Sequence, residues 1–392
     1  MFSVMPQETA AVTFPSTDKS DWLDRATKEL KGRDPSALDR EVNERIRLSP
    51  LYTAGEVTAR PPLDRPAGWE IGAYLESGTN ETINQSALTA LQQGAEALQF
   101  RLLRQPQRKD IDELLQGIHL DFVSIHCALR YPGQDPAELF RDLVKYLRAE
   151  GYDLSSIGGS VDFDPLLDWS EPPYPPLIRL LDFVHRWMPH FKVLQVNAAG
   201  FANGPARADD ELALAIAKGA EYLQQLKDRG YDPARVSPHL QFALTVGSSY
   251  YVDIAKLRAL RILWANVLKG FGINEATPVV IAAHGDPTTL TEDRDQNLLR
   301  LTTQGLSAVT GGADQVFLVP AEGADDLATP FGRRMALNIQ HLLRLEAGLG
   351  DYADPAAGSY YLETLTEKLV DAAWERFRSV EAQGGFAVAT DL

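Results

Sequence analysis

Leu240-Gln241-Phe242-Ala243-Leu244-Thr245-Val246 is an uncharged run of strand length that leads, through Gly247-Ser248-Ser249, into a helical stretch at 253–269. A second short apolar run follows at 279–283. Strand, helix, strand is the repeating unit of a parallel sheet, because parallel neighbours must be joined by a long crossover. The alternation extends outward in both directions. Upstream lie apolar runs at 97–103, 122–129, 157–163 and 193–198, with helical patterns at 86–93, 136–149, 177–187 and 209–229. Downstream, 316–319 reads as a seventh strand and 353–362 as a weaker eighth. An α/β fold is therefore expected, and with this many units a closed (β/α)8 TIM barrel is favoured over an open doubly wound sheet.

The front of the chain reads differently. Residues 1–16 have no periodicity. Ser20 then stands where it can cap a short helix whose apolar stripe is Trp22, Leu23, Ala26 and Leu30, with Gly32 placed to end it. Pro50, Pro61, Pro62 and Pro66, with Gly55 and Gly68, argue against regular structure between 49 and 72. Residues 1–80 are expected to form an N-terminal arm and irregular connection, and 81–392 the barrel, which occupies the chain nearly to its end.

Composition narrows the function. The 38 Lys and Arg against 54 Asp and Glu leave a net charge of −16, the wrong sign for a nucleic-acid groove. A few local cations would still suffice for a phosphorylated ligand. The single cysteine, Cys127, can form neither an internal disulfide nor a Cys-rich zinc site. With no membrane-length apolar run and no signal-peptide pattern at the N-terminus, a cytoplasmic protein is expected.

Barrel chemistry sits at the C-terminal strand ends, and few catalytic groups stand there. Arg104 and Arg130 follow the runs at 97–103 and 122–129. His284-Gly285-Asp286 would suit a general base with a nearby carboxylate, or a strand end followed by a turn opening at Asp286-Pro287. Asp162 and Asp164 are spaced to face one side of an extended segment, as a carboxylate pair or as loop solvation before Pro165. His126 and Cys127 are adjacent, so on a strand they point to opposite faces and cannot act on each other; core packing is the expectation. Lys256, Arg258, Arg261 and Lys269 share a helix that ends near Gly270, suiting either a phosphate or ordinary helix-dipole chemistry. Gly158-Gly159 and Gly311-Gly312 are pairs, not a nucleotide-binding fingerprint, and the seven His show no metal-ligand spacing.

Val252-Asp253-Ile254-Ala255-Lys256-Leu257-Arg258-Ala259-Leu260-Arg261-Ile262-Leu263-Trp264-Ala265 resembles the most recognisable stretch of the methylmalonyl-CoA mutase barrel. The likeness continues in Arg333-Arg334-Met335-Ala336-Leu337-Asn338-Ile339-Gln340, in Asp354-Pro355-Ala356-Ala357-Gly358-Ser359-Tyr360-Tyr361, and in Leu365-Thr366 and Gly384-Gly385. Trp22 through Leu30-Lys31-Gly32-Arg33-Asp34 is similar to the arm of that family's small subunits. The resemblance implies a barrel threaded by an acyl-CoA, a radical rearrangement between methylmalonyl-CoA and succinyl-CoA, and cobalamin held on a separate domain.

The departures are as informative as the matches. The family's cobalt-ligating Asp-x-His-x-x-Gly is absent. Aligned on Gly204 in Asn197-Ala198-Ala199-Gly200-Phe201-Ala202-Asn203-Gly204, the His that contacts the substrate thioester falls on Ala199. Aligned on Tyr174-Pro175-Pro176, the Arg that clamps the substrate carboxylate falls on Trp169 and a strand Gln on Gly159; a further CoA-contacting Arg falls on His239. Tyr74 stands near the position of the family's radical-positioning Tyr, flanked by Gly72 and by Leu75-Glu76 where the family has Arg and Gly-Phe. His284 is kept without the Gln-Thr-Ser-Gly that should follow it. Each lost charge-assisted contact removes about 1.5–3 kcal/mol of binding. The expectation is a small subunit without catalytic, cofactor-binding or metal residues of its own, stabilising a large catalytic subunit in a heterodimer. Adenosylcobalamin is expected on that partner. The alternatives are an active mutase barrel, with Tyr74 and His284 as its best residues, that borrows cobalamin from another protein, and a CoA-ester binding protein.

Overall fold

In the computed structural model, residues 17–389 are described except 58–59, 76–77, 132–135, 169–171, 199–200, 202–203, 205–206, 275–278 and 323–327. A small antiparallel pair comes first, β1 (Arg40–Glu41) with β2 (Arg47–Leu48). The main sheet then takes β3 (Glu70–Leu75), β4 (Ala97–Leu102), β5 (Ser124–Leu129), β6 (Gly159–Val161), β7 (Phe191–Lys192), β8 (Leu194–Asn197), β9 (Leu240–Val246), β10 (Val280–Gly285) and β11 (Gln315–Phe317). Its order is β7-β6-β5-β4-β3-β11-β10-β9-β8, and every pairing is parallel. The ends of that order are one stretch of chain: β7 pairs with β6, and β8, one residue later, pairs with β9. The Gln195 amide also donates to the Phe163 carbonyl at 3.0 Å, across the same seam. The ring of strands is a barrel, as expected.

Two expectations about its strands are corrected. The first barrel strand is β3, ahead of the boundary placed at residue 80 and inside the stretch read as irregular. Its signal is weak because Gly72 interrupts it and Glu70 opens it, and both face inward. The eighth strand expected at 353–362 does not exist; that stretch is a turn running into the helix Tyr360–Ala382. With β3 counted, the barrel needs no strand there. The eighth barrel helix is Pro330–His341, and Tyr360–Ala382 packs outside on the helices Ala208–Asp228 and Tyr250–Gly270.

The strands bury both faces, which is why they read as short apolar runs. Outward residues such as Ile71, Leu98, Ile125, Phe191 and Phe242 join one continuous core beneath the helices. Among the described residues, no helix is long and apolar enough to cross a membrane.

The arm helix is Lys19–Glu29. Its cap is Asp18 rather than Ser20: the Asp18 carboxylate accepts from the Asp21 amide at 3.0 Å while the Asp21 side chain accepts from the Asp18 amide. Gly32 follows in a left-handed conformation, φ 84°. No residue of this helix is buried, and Leu23 is exposed. The Pro-rich stretch behind it is not a loose tether. The Arg65 guanidinium donates to the carbonyls of Gly68, Ala313 and Ala353, and the Leu63 amide to Asp354.

Candidate functional site

Inward-facing side chains close the middle of the bore. Phe317 of β11 stacks on His284 of β10, centroids 5.2 Å apart and planes at 12°. It tilts against Tyr74 of β3 at 5.6 Å and meets His126 of β5 edge-on at 5.6 Å. Since β5 lies three strands round the ring from β11, the phenyl group spans the bore. It occupies the space that a Cβ at position 72 would need, so glycine stands there. Beside it His126 Nδ1 lies 2.8 Å from Ser160 Oγ. The Gln241 amide donates to Ser160 Oγ at 3.0 Å and to Gln195 Oε1 at 2.5 Å.

The Tyr74 hydroxyl and His284 Nδ1 share a hydrogen bond of 2.7 Å. Burial pulls the His284 imidazole down to about 4, helped by the nearby Arg130 charge, and pulls His126 down to about 3, helped by His284. Burial also raises the Tyr74 phenol. Near neutral pH these rings are uncharged and offer hydrogen bonds, and the cation beside them, Arg130, is already held by Asp162 at 2.8 Å.

Of the alternatives left open for the sequence candidates, the turn opening at Asp286-Pro287 is present and the carboxylate pair is not. His284 faces Tyr74, while the Asp286 carboxylate accepts from the Thr288 amide and hydroxyl, at 2.9 and 2.7 Å, and so caps the following turn. Asp162 and Asp164 do not form a pair. Asp162 accepts from the Leu129 amide at 2.7 Å and from Arg130 at 2.8 Å, and burial pushes it up to about 6. Asp164 accepts from Lys218 at 2.6 Å, from the Asn197 amide at 2.9 Å and from the Tyr222 hydroxyl. Cys127 lies in the core behind the strand, its thiol pushed up to about 12 by burial, on the opposite face from His126 as expected.

The cations of the helix Tyr250–Gly270 are taken. Lys256 bonds Glu211 at 2.8 Å, Arg258 bridges Asp354 and Glu363, and Arg261 reaches Asp314 at 2.8 Å, so only Lys269 is left exposed. Arg104 is held by Asp110 at 2.6 Å.

Of the positions aligned with family contacts, Trp169 and Ala199 lie outside the described residues, as does Glu76 beside Tyr74. Gly159 has φ 142°, and a Cβ there would overlap the Ile125 carbonyl, so no larger residue replaces the lost Gln without moving the backbone. His239 turns away from the bore: its Nδ1 lies 2.8 Å from the Phe191 carbonyl, and burial holds the ring at about 4. Phe317 and the Asp164–Lys218–Tyr222 cluster were not singled out from sequence. The available signal for Phe317 was the period-two register that turns Gln315 and Phe317 to one face, opposite Gly72.

Residues 105–391 match the profile of the family described as methylmalonyl-CoA mutase. The chain is 31% identical to the methylmalonyl-CoA mutase small subunit of Porphyromonas gingivalis, over 96% of this chain and 65% of that protein. It is 28% identical to the small subunit of Streptomyces virginiae (99% and 67%) and 27% identical to the large subunit of the same organism (96% and 58%). The chain thus spans about two thirds or less of these relatives, and identity alone does not separate small from large. Similar solved structures include the dihydropteroate synthase of Xanthomonas albilineans, with 15% identity, a TM-score of 0.39, and 73% of this chain and 93% of that one covered. The profile match over most of the chain and the small subunit at 31% identity establish that this chain belongs to the methylmalonyl-CoA mutase family.

Proposed function

We propose that this chain is a catalytically silent, small-subunit-like component of a methylmalonyl-CoA mutase that binds and stabilises a large catalytic subunit. The observation that carries the reading is Phe317, whose ring lies across the axis an acyl-CoA would have to thread, packed against His284, Tyr74 and His126. The rings around it are uncharged, the neighbouring Arg130 is engaged by Asp162, and the backbone at Gly159 admits no side chain there. The arm supports the second half of the proposal: its apolar stripe is exposed at Leu23 and only half-buried at Trp22 and Leu30.

That the described histidines do not fit a cobalt ligand supports the reading in which adenosylcobalamin is carried by the partner. Of the seven, only His284 stands near the C-terminal mouth, and its ring is buried against Tyr74 and Phe317. No group of three or more potential metal ligands occurs among the described residues.

Co-expression with a large mutase subunit tests the reading. A stable complex is expected, with no turnover by this chain alone when a cobalamin-binding protein is supplied. The Tyr74–His284 hydrogen bond favours a second reading, an active subunit served by such a protein. Turnover abolished by Tyr74→Phe or His284→Ala would establish it and remove the first.

A further inference from the structure

The opposite, N-terminal end of the barrel opens into a cavity of about 870 Å³, within the ~300–1,000 Å³ typical of small-molecule sites. Glu70, Ser124, Lys192 and Gln315, from the first inward layer of four strands, form part of its wall. Phe191 meets Phe140 at 5.3 Å beneath the helix Pro136–Ala149, so strand alternation turns the next residue, Lys192, inward. The obvious counter-ion is otherwise engaged: Glu70 accepts from the Ser124 hydroxyl at 2.6 Å and from the Gln315 amide at 2.8 Å. The Lys192 amine has no hydrogen-bond or ion-pair partner among the described residues. Lys192 is half-buried; the two fully buried lysines differ from it, Lys218 being held by Asp164 at 2.6 Å and Lys256 by Glu211 at 2.8 Å.

We propose that Lys192 is a nucleophilic amine, set in this N-terminal vestibule, that is acylated by small acyl thioesters. Only an unprotonated amine attacks a carbonyl carbon. Burial lowers the Lys192 ammonium below its ordinary value, against the opposing pull of the Asp314 and Glu70 carboxylates. The nitrogen attacks the thioester carbonyl carbon, and the C–N bond forms as the C–S bond breaks. The departing thiolate takes up the proton that the nitrogen releases, leaving an amide and a free thiol. The choice of a thioester as reagent rests on the proposed function; the placement of the amine does not.

The test incubates the full chain with acetyl-CoA near neutral pH and follows acetylation at each lysine by peptide mass spectrometry. Lys31 and Lys269, exposed and without ion pairs, serve as references. Lys192 is expected to react at least about threefold faster than either, because a lowered ammonium leaves more neutral amine near neutral pH, and to lose that preference in denaturing urea. A rate equal to or below the references in the folded chain overturns the proposal, as does a preference that survives unfolding. The readout is independent of subunit assembly, so a chain that binds no large subunit but shows the preference refutes only the functional reading.

Discussion

Truncating Phe317 to alanine tests the closed bore directly. The side chain is 1% exposed and spans the barrel, so its removal leaves a hole that the surrounding strands cannot collapse to fill. Losses of this kind cost about 3–5 kcal/mol, and the upper half of that range is expected because the nearest backbone, at Gly72, has no side chain to move in. A second substitution makes the test specific. Gly72→Ala alone overlaps the Phe317 ring and should cost about 1–3 kcal/mol by overpacking. In the Phe317→Ala background part of that cost should vanish, giving a coupling of at least about 1 kcal/mol. The remainder persists because the added Cβ also lies 2.6 Å from the Val316 carbonyl. Urea unfolding of the four proteins measures each value, and calorimetry with succinyl-CoA supplies an orthogonal readout: no heat for the parent chain, and binding only where the ring has been removed. A cost below about 1 kcal/mol for Phe317→Ala, or strict additivity with Gly72→Ala, would refute the packing on which the argument rests.

Acidification should destabilise the chain. His126, His239 and His284 are held at about 3, 4 and 4, so from pH ~6.5 downward the unfolded chain takes up protons that the folded chain refuses, a loss of about 1.4 kcal/mol per pH unit per histidine. Asp162, raised from 3.8 to about 6, opposes this, since its contribution is full below 3.8 and is lost as the pH rises through about 6. His284→Gln should therefore flatten the acid limb of urea midpoints measured against pH, and an unchanged slope would count against the burial of that ring. Lys218→Met leaves the buried Asp164 carboxylate without its cation and should cost about 3–5 kcal/mol; adding Asp164→Asn should recover at least half in the same unfolding assay. Trp22→Ala should change the stability of the isolated chain by less than about 0.5 kcal/mol while lowering the yield of co-purified large subunit. A large loss of stability would mean that the arm packs on its own barrel.

Element type was legible where the local pattern and the tertiary environment agree. The run 240–246 is a strand with those bounds, because each of its residues sits between two packed layers and needs no polar alternation. The helix at 136–149 is equally clear in its apolar stripe. The strand Glu70–Leu75 was hidden because two of its inward residues answer to distant partners: Gly72 yields space to Phe317, and Glu70 binds Ser124 and Gln315. No local rule writes those requirements into six residues.

The site divides in the same way. Sequence by itself determined the family and the alternation that makes a barrel, because these depend on residue order and periodicity. Only the tertiary structure decided that His284 answers to Tyr74 rather than Asp286, that Asp162 and Asp164 serve different cations, and that one phenyl ring closes the bore. Each of these depends on which side chains from remote strands share a few ångströms of space, and that is set when the ring of strands closes.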